Sequence, residues 1–74
     1  MTRIPKEDIF LSKEISDNEI IVCTKPVNNS ADVDIYRNDM LVFYQRGLMI
    51  FGVKDVKTQA QILLKMAENM YKKR

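Results

Sequence analysis

Histidine and tryptophan are absent from this 74-residue chain, cysteine occurs once, and glycine and proline occur twice each. Without histidine the chain lacks the commonest general base and the commonest zinc ligand. Cys23 has no imidazole to draw off its proton, and it lies in the apolar run from Ile20 to Thr24, where cysteine behaves as a small buried hydrophobe. A lone cysteine forms no intramolecular disulfide, which points to a reducing, cytoplasmic setting. Gly47 and Gly52 are too few for a glycine-rich phosphate loop or a dinucleotide fingerprint, and Ser12, Ser16 and Ser30 lack a nucleophile-elbow context.

Asp32-Val33-Asp34-Ile35-Tyr36 begins like a calcium loop, but Tyr36 stands at the next ligand position and no glycine follows. Asp32, Asp34 and Asp39 are therefore read as turn and edge-strand carboxylates. Long hydrophobic runs are missing too: nothing approaches the ~18 apolar residues of a bilayer span, and MTRIPKEDIF lacks the apolar stretch of a signal peptide. The expectation is a soluble protein that is not an enzyme, with no metal, cofactor, membrane partner or evident small-molecule substrate.

What remains is 46% hydrophobic and 30% charged, the balance of a globular domain. One small domain spanning residues 1–74 follows, and a chain of this size buries only about 60–65% of its unfolded surface, so a second subunit would help. The charge is uneven. Residues 1–39 hold five Lys or Arg against eight Asp or Glu, −3, and residues 40–74 hold seven against two, +5.

From Val56 onward, Ala60, Leu63, Leu64, Ala67, Met70 and Tyr71 recur at three- and four-residue spacing, which predicts an amphipathic helix over about 55–73. Asp55 sits at its N-cap, and Lys72, Lys73 and Arg74 suit the negative end of the helix dipole. Ahead of it, residues 33–37, 40–45 and 48–53 are rich in β-branched and aromatic residues, with two-residue turns at Asn38-Asp39 and Arg46-Gly47. Residues 20–24 form a further strand, followed by a turn-rich loop at 27–32. Residues 1–18 are left open between a partly flexible segment, an extra strand turned back at residues 16–19, and a short helix started by Pro5. The predicted architecture is α+β, a four- or five-stranded antiparallel β-meander packed against one long C-terminal α-helix.

With two-residue turns, Val33, Ile35, Val42, Tyr44, Met49 and Phe51 share one sheet face, and Tyr36, Leu41, Phe43, Leu48 and Ile50 the other. Ten of the fourteen residues from 40 to 53 are apolar, so both faces need a cover, and one helix supplies one. The second cover is the N-terminal segment, a second copy or another macromolecule. The expected function is a protein-binding module, a small regulator or inhibitor that docks on a larger protein and forms a homodimer. Its contact residues are expected at Tyr36, Leu41, Phe43, Leu48 and Ile50 on the sheet, or at Ile62 and Met66, which widen the apolar arc of the helix. The alternative is a nucleic-acid-binding homodimer using Arg37, Arg46, Lys54, Lys57, Lys72, Lys73 and Arg74.

Overall fold

The computed structural model describes residues 3–73 and has the α+β architecture anticipated from the sequence. Its strands are β1 (Ile9–Ser16), β2 (Glu19–Thr24), β3 (Ser30–Arg37) and β4 (Met40–Met49), and its helix is α1 (Val56–Lys72). The four strands pair antiparallel in chain order, as a meander. The segment left open by the sequence contains both a 3₁₀ turn, Lys6–Asp8, and the added strand β1.

Two turns are tight because their central residues are all left-handed: Asn28 and Asn29 have φ of 53° and 65°, and Asn38 and Asp39 have 50° and 69°. This is the backbone twist that suits a two-residue hairpin, and Asn and Asp tolerate it better than most residues. Val27 and Ser30 exchange backbone hydrogen bonds across the first turn at 2.9 and 3.1 Å. The loop expected over 27–32 is therefore confined, since Ser30–Asp32 already belong to β3.

Arg46-Gly47 is not a turn. β4 continues through it as a bulge, with Ala31 opposite Leu48 and Val33 opposite Gln45, so Arg46 and Gly47 together oppose Asp32. Gly47 takes φ 66° and donates its N–H to the Asp32 carboxylate at 2.9 Å. Residues 50–55 form a connector and not a further strand, and it is fastened where the Ile50 N–H donates to the Asn29 carbonyl at 2.9 Å. A second bulge inserts Val42, since Ile35 faces Phe43 while Tyr36 faces Leu41. Each inserted residue resets the alternation of sides. Neither predicted face forms as written: Phe43 and Leu48 join Val33 and Ile35 beneath α1, and Tyr44 lies with Asp34 on the opposite side.

The main core is Ile21, Cys23, Val33 and Ile35 against Ala60, Leu64 and Ala67, the two alanines letting α1 approach closely. Ala31, Ile50 and Leu63 extend it toward the start of the helix. Asp55 caps α1 by accepting from the Thr58 N–H and hydroxyl at 2.9 and 2.7 Å. At the other end Tyr71 stacks obliquely on Phe43, centroids 5.8 Å apart, and its hydroxyl bonds Glu19 and Arg37. Among the described residues no helix is long and apolar enough to cross a membrane.

Candidate interaction surfaces

The five sheet residues expected at an interface are not brought together. Phe43 and Leu48 wedge under α1, and Ile50 is buried with Ala31 and Leu63. Tyr36 and Leu41 lie on the opposite face, Tyr36 buried and Leu41 half-buried. Ile62 and Met66 are half-buried beside the Ala31–Ile50–Leu63 cluster, where they absorb the broad apolar arc of the helix.

The basic residues are also dispersed. Arg37 pairs with Glu19 at 3.0 Å, Arg46 with Asp34 at 2.6 Å and Lys72 with Glu68 at 2.7 Å. Lys54 and Lys57 are exposed at the start of α1 and Lys73 at its end, roughly 25 Å away at 1.5 Å per residue. Arg74 lies outside the described residues. No continuous positive stripe results among the described residues.

Four of the exposed large apolar side chains lie at the end of the sheet where β1 and β3 begin and β2 and β4 end, whereas Ile20, Met40, Tyr44 and Met70 are exposed elsewhere. Phe51 is 71% exposed and Val27 65%, Met49 is exposed at the end of β4, and Phe10 is exposed on β1 at the opposite edge of the sheet. The arrangement follows from the turns: Val27 leads into Asn28-Asn29, Met49 pairs with Ser30, and Phe51 follows the Ile50 bond to Asn29. Phe10 and Val27 border a groove of about 610 Å³ whose charged lining is Glu7, Asp8 and Asp32 against Lys25. Its chemistry suits an apolar surface with positive charge at its margin. Sequence reasoning placed Met49 and Phe51 on a strand face. Only the bulge at Gly47 and the end of β4 at Met49 bring them to the end of the sheet.

The face opposite α1 has a different construction. Asp34, read from sequence as an edge carboxylate, is fully buried. Its Oδ1 accepts from the Arg46 guanidinium at 2.6 Å, and its Oδ2 from the Tyr36 hydroxyl at 2.6 Å and the Ile4 N–H at 2.9 Å. These donors supply what a carboxylate requires when it is removed from water. Burial, then the bond donated to Asp34, raises the Tyr36 phenol above its usual range. Residues 3–5 run over this network: Ile4, 7% exposed, sits among Ile9, Val22, Tyr36 and Leu41. The Arg3 guanidinium lies 4.3 Å from the centre of the Tyr36 ring, within cation–π range.

Cys23 is buried beneath α1, and desolvation pushes its thiol up to about 11, the reverse of a nucleophile's requirement. Among the described residues no group of three or more acidic, cysteine or histidine side chains is placed to hold a metal ion. No protein-family model, curated protein or solved structure matches the chain.

Proposed function

We propose that this chain is a non-enzymatic protein-binding module, a small regulator or inhibitor that occupies a larger partner protein through the strand-end patch of Phe10, Val27, Met49 and Phe51. The observation that carries the reading is the joint exposure of Phe51, Val27 and Met49 at one end of the sheet, whereas Met40, comparably exposed, stands at the opposite end. Apolar groups gathered in this way on a small domain are characteristic of an interface. Glu7, Asp8 and Asp32 outnumber Lys25 along the groove and favour a partner with basic residues around an apolar centre. The unpaired, buried Cys23 supports a cytoplasmic setting.

Residues 3–5 cover Val22, Tyr36 and Leu41 on the second sheet face and leave Ile20 and Tyr44 exposed there, which reduces the apolar area on that face available to a second copy. Nucleic acid is the weaker reading, because Arg37, Arg46 and Lys72 are engaged by carboxylates. The test is capture of partners by immobilised wild type and by a folded Val27→Ser, Phe51→Ser variant, with absolute mass measured by light scattering. Proteins retained by wild type and lost by the variant are expected. Equal recovery overturns the assignment, and so does a dimer that the double variant abolishes, which would give the patch to self-association. Binding of random duplex at ~50 mM salt would favour the nucleic-acid reading instead.

A further inference from the structure

The cover over the second face is made like a bound peptide. Residues 3–5 join no strand, and they meet the sheet through three different chemistries. The Ile4 N–H donates to Asp34, the Ile4 side chain fills an apolar pocket, and the Arg3 guanidinium stacks on the Tyr36 ring. Pro5, at φ −58° and ψ 145°, holds an extended polyproline-like conformation that costs a ligand little entropy on binding. The acceptor at the centre does not depend on this segment for its orientation. Two of its three donors, Tyr36 and Arg46, come from β3 and β4, so the buried carboxylate stays aimed when residues 3–5 leave. A groove of about 580 Å³ continues beside the segment past Ile20 to Asp39, leaving room for flanking residues and a carboxylate for a further cation.

We propose that this pocket is a receptor for a cation–aliphatic–proline segment of a partner protein, and that Arg3-Ile4-Pro5 occupies it in cis as an intramolecular competitor. The specificity has three parts. Tyr36 selects a cation, the pocket among Ile9, Val22, Tyr36 and Leu41 selects a branched aliphatic side chain, and Asp34 demands a free N–H at that residue. A tether of a few residues gives the cis segment an effective concentration on the order of millimolar, so foreign ligands enter readily only when it is displaced. The proposal is independent of the strand-end patch, and either can fail without the other.

The test uses the full chain carrying Ile4→Asp, which empties the pocket, and a fluorescent peptide spanning residues 2–7. Saturable binding at roughly 0.1–1 mM is expected for the variant, and about two- to tenfold weaker binding for wild type, whose pocket is filled by a segment at millimolar effective concentration. A peptide with Gln for its arginine should bind about threefold more weakly, the scale of an exposed cation–π contact, and one with Gly for its isoleucine should not bind measurably. Equal binding of a scrambled peptide, or none to a folded variant, overturns the proposal. If Ile4→Asp does not fold, Ile4→Ala takes its place. Failure of both to fold would show the segment to be core and not ligand, and would also overturn the proposal. So would a wild-type chain that dimerises with shifted Ile4 and Tyr36 resonances, since a second copy's segment would then be the occupant.

Discussion

The two faces of the sheet solve one problem in opposite ways. Beneath α1, the fully buried Ile21, Cys23, Val33 and Ile35 meet a 17-residue helix through hydrocarbon, and polar groups are kept to the ends. On the other side, a few residues of irregular chain cover a surface centred on a buried carboxylate. Apolar contact is nondirectional and scales with area, so the helix face needs a large cover and tolerates exchange of hydrocarbon shapes. A hydrogen-bonded carboxylate is directional and needs only a small cover, held by donors of fixed geometry. A long element thus carries stability, while a short one is held by specific geometry and can lift more easily.

Breaking the helix face should have the largest effect. Ile35→Ala removes a fully buried side chain from the centre of the core and should cost about 3–4 kcal/mol, read as a lowered urea midpoint at unchanged slope. In a chain this small that is most of the available stability. Breaking the opposite face at its centre should cost slightly less: Asp34→Ala leaves Arg46 and Tyr36 without their acceptor, at about 3 kcal/mol. A neutral Asp34→Ala would mean that the buried carboxylate contributes nothing that water could not.

The helix face was more legible in the sequence than its counterpart. Apolar spacing from Val56 to Tyr71 and the cap at Asp55 are local signals, and they place α1 to within a residue or so. The strands were legible from their β-branched and aromatic content, but their registers were not. A left-handed glycine serves a two-residue turn and a bulge equally well, and at Gly47 the choice is made by Asp32, fifteen residues away on β3. Asn28-Asn29 resembled a long loop because each residue is individually turn-prone, whereas the pairing of Val27 with Ser30 confines the reversal to two residues. Asp34 looked solvated because a carboxylate in a strand usually is. Its burial depends on Arg46 and on the Ile4 amide thirty residues before it, neither of which is visible in the local pattern.

Ile4→Ala should cost about 1–2 kcal/mol, below the usual loss for so buried a side chain, because residues 3–5 can lift and limit the loss to their own docking free energy. Hydrogen exchange should show the Ile4 amide opening well before Ile21 and Ile35. Modification of the Cys23 thiol beneath α1 should accelerate only as far as global stability has fallen. If thiol modification and Ile4 exchange accelerate in parallel by much more, the faces open as one unit and the contrast between them is lost.

The smallest expected effect lies in the acid limb of stability, where the helix attachments titrate. Bonds from the Tyr71 and Ser16 hydroxyls, with Arg37 beside them, hold the Glu19 carboxyl below its ordinary value of 4.5. Lys72, with Lys13 and Lys65 adding their charge, does the same for Glu68. A carboxyl whose folded value is depressed stabilises the fold fully above 4.5 and loses that contribution as the pH falls from there through the folded value. Stability should therefore be flat in pH just above this range with respect to these two groups and decline below it. The partners lie at the protein surface, so the decline should be shallow and should weaken further at high salt. Glu19→Gln with Glu68→Gln should lower stability slightly at neutral pH and flatten the limb below 4.5, measured by urea midpoints across pH. An unchanged acid limb in that double variant would mean that α1 is held by its apolar face alone, making the contrast between the two covers sharper still.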